Sequence, residues 1–263
     1  MFDFFFDSAD TDFIKSTWEQ IKDFTKPEHV RGITTNPKAM FRVDAHTLEQ
    51  WKAKTLELCE TVSEIRGGPG GVVYVQFPNC DASVHEAIEF AEIISGWGDG
   101  TTKIGMKIPP YKNYLKMTPL LERHVETNVT GIADCSTALF CSSYDVRYVS
   151  IIPGRMEEVG IDSDPHLSTV TNSDMGRTEV IAGSMRTIDG LHRSVLLGTV
   201  PTIGSTVFKL VLEDPQNALS VKKDLKVSEN AYLTGEVNHD LSKSFFVEMN
   251  GLAETAYKGF KKE

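Results

Sequence analysis

The sequence predicts an α/β protein built as a (β/α)8 TIM barrel, a single domain with a C-terminal helical extension. Short β-rich runs alternate with amphipathic helical stretches, the pattern of βα units around a parallel sheet. The alternation repeats eight times in roughly 215 residues, which is the count of a barrel. A doubly wound sheet is the structural alternative. It calls for a glycine fingerprint after the first strand, where this chain has DSAD.

Taken in order, the predicted strands are FDFFFDS (2–8), RGITTN (31–36), VVYVQF (72–77), KIGMKI (103–108), VETNVT (125–130), RYVSII (147–152), TEVIAGS (178–184) and TVPTIG (199–204). After the first strand, Asp10 is placed to cap a helix, and Phe13, Ile14, Trp18, Ile21 and Phe24 keep near-helical spacing behind it. Ile88, Ala91 and Ile94 repeat that spacing in what reads as the third helix. The alternation stops at Pro215. The chain then divides into a catalytic barrel over 1–215 and a tail over 216–263 of the same domain. That tail is polar and irregular to about Ser242 and ends in a helix, KSFFVEMNGLAETAYKGF.

Composition narrows the function. With 263 residues and 40% apolar content the chain can bury a sizeable core. A net charge of −10, with lysines and arginines dispersed, argues against nucleic acid or an anionic membrane as partner. Aspartates interrupt the apolar N-terminal run, and no stretch approaches the roughly 18 apolar residues of a membrane span. A soluble, cytoplasmic protein is expected. Cys59, Cys80, Cys135 and Cys141 lack CxxC spacing and read as free thiols, with Cys135 and Cys141 buried on one helix. The seven histidines have no ligand spacing, so no metal site is expected. GGPGG (67–71) precedes a strand and reads as a turn on the stability face. GWGDGT (96–101) follows a helix and enters a strand, the reverse of a dinucleotide loop.

In a barrel of this kind the reactive groups sit at the C-terminal strand ends. The mostly apolar strands here end in Asp7, in Thr34, Thr35 and Asn36, in Gln76, in Lys107, in Asn128 and Thr130, in Ser150 and in Ser184. Taken singly, such a residue is most often a cap or turn former. Seven strands ending this way point to a site. Lys107 stands apart, because desolvating an ammonium in an apolar strand is costly unless an ion pair or a snorkelling stem offsets it. Burial also lowers a lysine's pKa, and a neutral amine can attack a carbonyl carbon to form a Schiff base.

FFFDSAD, GITTNP, GMKIP, NVT, YVSxxxGR and AGSMR, in this order, resemble the transaldolase family, closest in length to its short branch with the fructose-6-phosphate aldolases. The likeness runs from Phe4 to about Pro215 and includes the terminal helix. It implies Lys107 as Schiff-base nucleophile and Asp7 as acceptor of the C4 hydroxyl proton when the C3–C4 bond breaks. It also implies Thr130, with Gln76, around a catalytic water. Asn36, Asn128 and Ser150 would hold the dihydroxyacetone end, Thr34 and Thr35 would also bind substrate, and Arg155, Ser184 and Arg186 would hold the sugar phosphate. Guanidinium groups suit phosphate geometry, and a carboxylate near an iminium can serve as a base. The resemblance implies phosphorylated sugars of the pentose phosphate pathway as substrates, no cofactor, and a homo-oligomer, pentamer or decamer, as in similar short transaldolases.

Two positions depart from the family pattern. Most transaldolases carry glutamate where this chain has Gln76. The fructose-6-phosphate aldolases share the glutamine but add a strand-six tyrosine, and here that position is Ile152. Pro153 before Gly154 is a further difference beside Arg155. The expected activity is dihydroxyacetone transfer from a ketose phosphate to an aldose phosphate. The alternatives are an aldolase that releases dihydroxyacetone, and a catalytically impaired barrel that binds or regulates.

Overall fold

The computed structural model describes residues 1–77, 83–98 and 100–221. Eight parallel strands close into a barrel in sequence order, β1 (Phe4–Asp7), β2 (Val30–Thr34), β3 (Val72–Gln76), β4 (Lys103–Ile108), β5 (Glu126–Ile132), β6 (Tyr148–Ile151), β7 (Glu179–Ala182) and β8 (Val200–Gly204), with β8 pairing back onto β1. The outer layer is formed by α1 (Thr11–Ile21), α2 (Pro37–Phe41), α3 (Leu48–Arg66), α4 (Val84–Ser95), α5 (Lys112–Leu121), α6 (Cys135–Ser142), α7 (Pro153–Glu158), α8 (Asp164–Thr171), α9 (Ile188–Leu196), α10 (Ser205–Val211) and α11 (Pro215–Ala218). No described helix is long and apolar enough to cross a membrane.

Local chemistry sets the helix starts. The Asp10 carboxylate accepts the Phe13 N–H at 3.0 Å, as the sequence predicts, and buries Ile14, Trp18 and Ile21 on the inner face of α1. Phe24 lies beyond the end of that helix. Capping boxes start α3 (Thr47 with Gln50) and α4 (Ser83 with Glu86). Ala91 and Ile94 are buried on α4, which is the fourth helix, because the short α2 intervenes. Cys135 and Cys141 are both buried on α6, and burial pushes the Cys141 thiol up to about 12. Cys59 is likewise buried.

Strand alternation separates two environments. Side chains facing outward join the main core with the helices, as where Phe6 stacks on Phe208 at 4.8 Å between ring centres. Inside the barrel a separate cluster of Phe5, Val72, Tyr74, Tyr148 and Ile181 fills the lower layer. The rings of Phe5, Tyr74 and Tyr148 meet edge to face at 5.7–6.1 Å. Gly105 makes the room, since a Cβ there would stand 2.3 Å from the Tyr74 ring. Because successive inward residues are two apart, the next layer toward the C-terminal mouth is Asp7, Thr34, Gln76, Lys107, Asn128, Ser150 and Thr202. An aromatic floor therefore lies directly beneath a polar layer.

Four boundaries differ from the sequence reading. β2 ends at Thr34 and β7 at Ala182, so Asn36 and Ser184 lie on the loops that follow. β5 runs on to Ile132, because a bulge with Gly131 at φ 76° lets the strand continue past Thr130. The chain is still regular past Pro215, where Asp214 caps α11 and Ala218 and Leu219 are buried in the core. Cys80, Asp99 of GWGDGT and residues 222–263, with the predicted terminal helix, lie outside the described residues.

Candidate active site

Three neighbouring strands bring Gln76, Lys107 and Asn128 side by side, paired in register across β3, β4 and β5. All three are buried. The Lys107 Nζ donates to the Thr35 carbonyl at 3.0 Å, and among the described residues no carboxylate forms an ion pair with it. Burial pushes the Lys107 pKa below the ordinary lysine range, and the charge of Asp7 opposes that only in part. A neutral carbonyl accepts the amine's proton without fixing its charge, so the amine stays available as a nucleophile.

Asp7 responds in the opposite sense. Burial pushes its carboxyl above the usual carboxylate range, against the charge of Lys107, the Thr34 hydrogen bond, and the charges of Arg186 and Arg42. The lysine is driven toward neutrality and the carboxyl toward protonation in one layer, so both proton affinities move toward the range in which acid-base chemistry near neutral pH works.

The other strand-end residues divide by what their side chains already hold. Ser150 donates to the Asn128 Oδ1 at 2.7 Å, while the Asn128 Nδ2 and the Gln76 Oε1 are buried without a hydrogen-bond partner among the described residues. These two orphaned atoms, one donor and one acceptor, flank Lys107 and match a polar ligand or water. Thr34 donates to Asp7 at 3.1 Å. The Thr35 hydroxyl is committed to the Tyr74 carbonyl at 2.8 Å, so Thr35 meets the lysine through its own carbonyl. The Asn36 Oδ1 caps α2 by accepting the Ala39 N–H at 2.9 Å, which leaves its amide NH2 for the mouth. Thr130 is buried one inward step beyond Asn128, at the bulge.

Arg155, Ser184 and Arg186 form a second group, Arg155 on α7 after β6 and the other two on the loop after β7. Pro153 occupies the first turn of α7, a position proline suits, and Arg155 follows within that helix. Ser184 takes the left-handed conformation at φ 58°, uncommon for a residue with a side chain. Its carbonyl packs on Gly154 so closely that a Cβ on Gly154 would lie 1.7 Å from the oxygen. Gly154→Ala is therefore expected to push these loops apart and lower stability by about 1–3 kcal/mol. An alanine variant with the parent's urea midpoint would show that the contact relaxes freely. Arg186 donates to the Ser184 carbonyl and pairs with Glu158 at 2.8 Å, and Glu158 also stands 4.0 Å from Arg155. The two arginines thus share one carboxylate, and the charge of Arg186 is felt at Asp7.

Two contributors escape the strand-end reading. Thr202 of β8 reaches Thr34 from inside the barrel, and Arg42, just past α2, adds positive charge near Asp7. Period-two counting along PTIG was the available signal for Thr202. Arg42 had none, because α2 is too short to show periodicity.

The barrel is similar in fold to a thiamine phosphate pyrophosphorylase from Pyrococcus furiosus, with a TM-score of 0.51 and 10% identity over 82% of this chain and 95% of that one. Sequence relatives are more specific. Proteins named probable transaldolase are similar along most of their length: one from Thermodesulfovibrio yellowstonii is 26% identical over 85% of this chain and 96% of its own. One from Thermoplasma volcanium is 28% identical over 71% and 80%. One from Bartonella henselae is 26% identical over 81% and 89%. The family model described as Transaldolase/Fructose-6-phosphate aldolase matches residues 4–256, a span that takes in every strand of the barrel and the whole polar layer around Lys107. With that match, the chain belongs to the transaldolase/fructose-6-phosphate aldolase family.

Proposed function

We propose that this chain, a transaldolase-type enzyme by family, moves a dihydroxyacetone unit from a ketose phosphate such as fructose 6-phosphate or sedoheptulose 7-phosphate to an aldose phosphate. The observation that carries the reading is Lys107, buried in the polar layer with, among the described residues, only a backbone carbonyl holding its amine. The neutral Nζ attacks the C2 carbonyl, and a proton delivered from water lets the carbinolamine hydroxyl leave as water, which gives a protonated imine. Asp7 takes the C4 hydroxyl proton as the C3–C4 bond breaks. The bonding electrons become the enamine, and the aldose phosphate leaves. Attack of the enamine on a second aldose phosphate, with the proton returned from Asp7, reverses these steps. Water then releases the new ketose and the free lysine.

In this scheme the Asn128 amide, Ser150 and Asn36 hold the hydroxyls of the three-carbon unit, and Gln76 with Thr130 hold the water. Arg155, Ser184 and Arg186 take the phosphate, which displaces the exposed Glu158 carboxylate from Arg186. That surface pair is worth little, so a doubly charged phosphate replaces it readily. The activity is expected in the cytoplasm, within the pentose phosphate pathway, in a homo-oligomer.

The test is mass balance. Fructose 6-phosphate with a four-carbon aldose phosphate should yield a seven-carbon ketose phosphate and glyceraldehyde 3-phosphate, with little free dihydroxyacetone when no acceptor is present. A second reading, aldol cleavage with release of dihydroxyacetone, is favoured by one observation: Gln76 is an amide, and an amide cannot shuttle protons. Dihydroxyacetone accumulating without acceptor supports that reading, and no turnover of any ketose phosphate sinks both.

Arg186→Ala should raise KM for phosphorylated sugars by on the order of 10- to 100-fold, about 1.5–3 kcal/mol for a charge-assisted contact, and leave free dihydroxyacetone nearly unaffected. Equal losses with both substrates would assign the arginine to loop structure through its Ser184 contact.

A further inference from the structure

The Thr34 hydroxyl has one proton and two close partners, the Asp7 Oδ1 at 3.1 Å and the Thr202 Oγ1 at 2.6 Å. An ionised carboxylate only accepts, so Thr34 donates to Asp7. Thr202 must then donate to Thr34. The order Thr202 to Thr34 to Asp7 is fixed in direction, and it links β8, β2 and β1 inside the barrel. Both threonines are buried, with 1% of Thr34 and 7% of Thr202 exposed, so water does not readily substitute for either hydroxyl.

We propose that Thr202 is a positioning residue for the reaction, acting through Thr34 to keep the Asp7 carboxylate a hydrogen-bonded acceptor aimed into the barrel. The inference rests on the reading of Asp7 as the group that takes the C4 hydroxyl proton. Among the described residues, Thr34 gives the Asp7 carboxylate its single hydrogen bond. The other charged groups acting on the carboxylate are Lys107 from β4, Arg186 from the loop after β7 and Arg42 after α2. All three favour the ionised form, and burial opposes it. In that balance one well-aimed donor matters. Thr34 donates more strongly when its own oxygen receives a proton, because hydrogen bonds in a chain polarise one another.

Thr202→Val keeps the shape of the side chain and removes the donor. The Thr34 hydroxyl then loses its orientation and keeps an unsatisfied lone pair. The Asp7 carboxyl rises further, and the acidic limb of the pH profile for ketose phosphate cleavage should move upward by about half to one pH unit, the scale of a partial loss of one hydrogen bond to a charged group. The sign follows from the role: cleavage needs Asp7 ionised, so a raised carboxyl removes activity at the acid side and spares the plateau at higher pH. Thr202→Ser restores the hydroxyl and should return the limb to its place.

Two readouts separate this inference from the assignment of the reaction. A carbon-13 NMR titration of labelled aspartate, with the Asp7 signal assigned by its loss in Asp7→Asn, follows the carboxyl without turnover. The pH profile follows catalysis. Thr202→Val should move both, and Thr202→Ser neither. A valine variant in which Asp7 titrates as in the parent overturns the proposal, as does a serine variant that stays shifted. If the parent turns over no ketose phosphate, the functional reading fails and the titration alone decides whether Thr202 acts on Asp7. Should the valine variant not fold, Thr202→Ala serves, since it removes the same donor and relieves any crowding.

Discussion

Lys107→Met is expected to give a folded barrel that traps no borohydride-reduced dihydroxyacetone adduct with fructose 6-phosphate. Its turnover should fall by on the order of 10⁴- to 10⁶-fold, the scale seen when a covalent nucleophile is removed. Methionine fills a similar volume without an amine. The site loses its electron sink, and the other residues of the layer cannot replace it. Stability should not suffer. A lysine whose pKa is lower in the folded chain than in the unfolded one makes folding less favourable below the unfolded lysine's pKa, because the unfolded chain then binds the extra proton. Stability of the parent therefore rises as pH rises from the folded value toward the ordinary lysine range, and Lys107→Met removes that dependence. At neutral pH the variant should melt no lower than the parent. An adduct mapped to another lysine, or one persisting in Lys107→Met, would sink the Schiff-base mechanism.

Gln76→Glu is the second large effect and runs the other way. Gln76 lies in register with Lys107, is 1% exposed and leaves its Oε1 without a partner. A carboxyl at that point is desolvated by the same surroundings, and Ile152 is buried and apolar. Burial raises the new carboxyl toward neutrality, where it can give and recover the protons that carbinolamine dehydration needs. Transfer to an aldose phosphate should rise by roughly 10²-fold or more, within the usual range for a placed general acid-base group, while adduct formation at Lys107 persists. A folded variant that binds phosphate and traps the adduct, yet turns over no faster, would show that the chain supplies this proton by another route. In that case Gln76 belongs to an aldolase-type site.

The two substitutions probe features of different legibility. The lysine was readable without a structure because an ammonium in the run KIGMKI breaks a mostly apolar pattern, and it closes its strand as Asp7, Gln76, Asn128 and Ser150 mark the ends of theirs. Barrel architecture was equally readable. It needs only the count of alternating elements and the rule that βα loops gather at one mouth. The Asp10 cap and the pair of buried cysteines on α6 follow from spacings of a few residues, which sequence carries directly.

What sequence could not carry are contacts between atoms far apart along the chain. Thr34 and Thr202 are 168 residues apart, and their hydroxyls meet only because β8 pairs back onto β1 and closes the barrel. The Thr35 hydroxyl looked available for substrate, yet the neighbouring strand's Tyr74 carbonyl claims it. Asn36 is drawn partly into capping α2, a local competition that only the observed helix start resolves. Gly154 read as one half of a GR motif. The structure shows it as the point where the loop after β6 admits the Ser184 carbonyl, and Glu158 as the carboxylate both arginines share. By itself the sequence determined which polar residues stand at or near the strand ends, because that depends on local patterning along each run. Which of them hold one another was decided by barrel closure, stagger and loop packing, which set distances that no local pattern encodes.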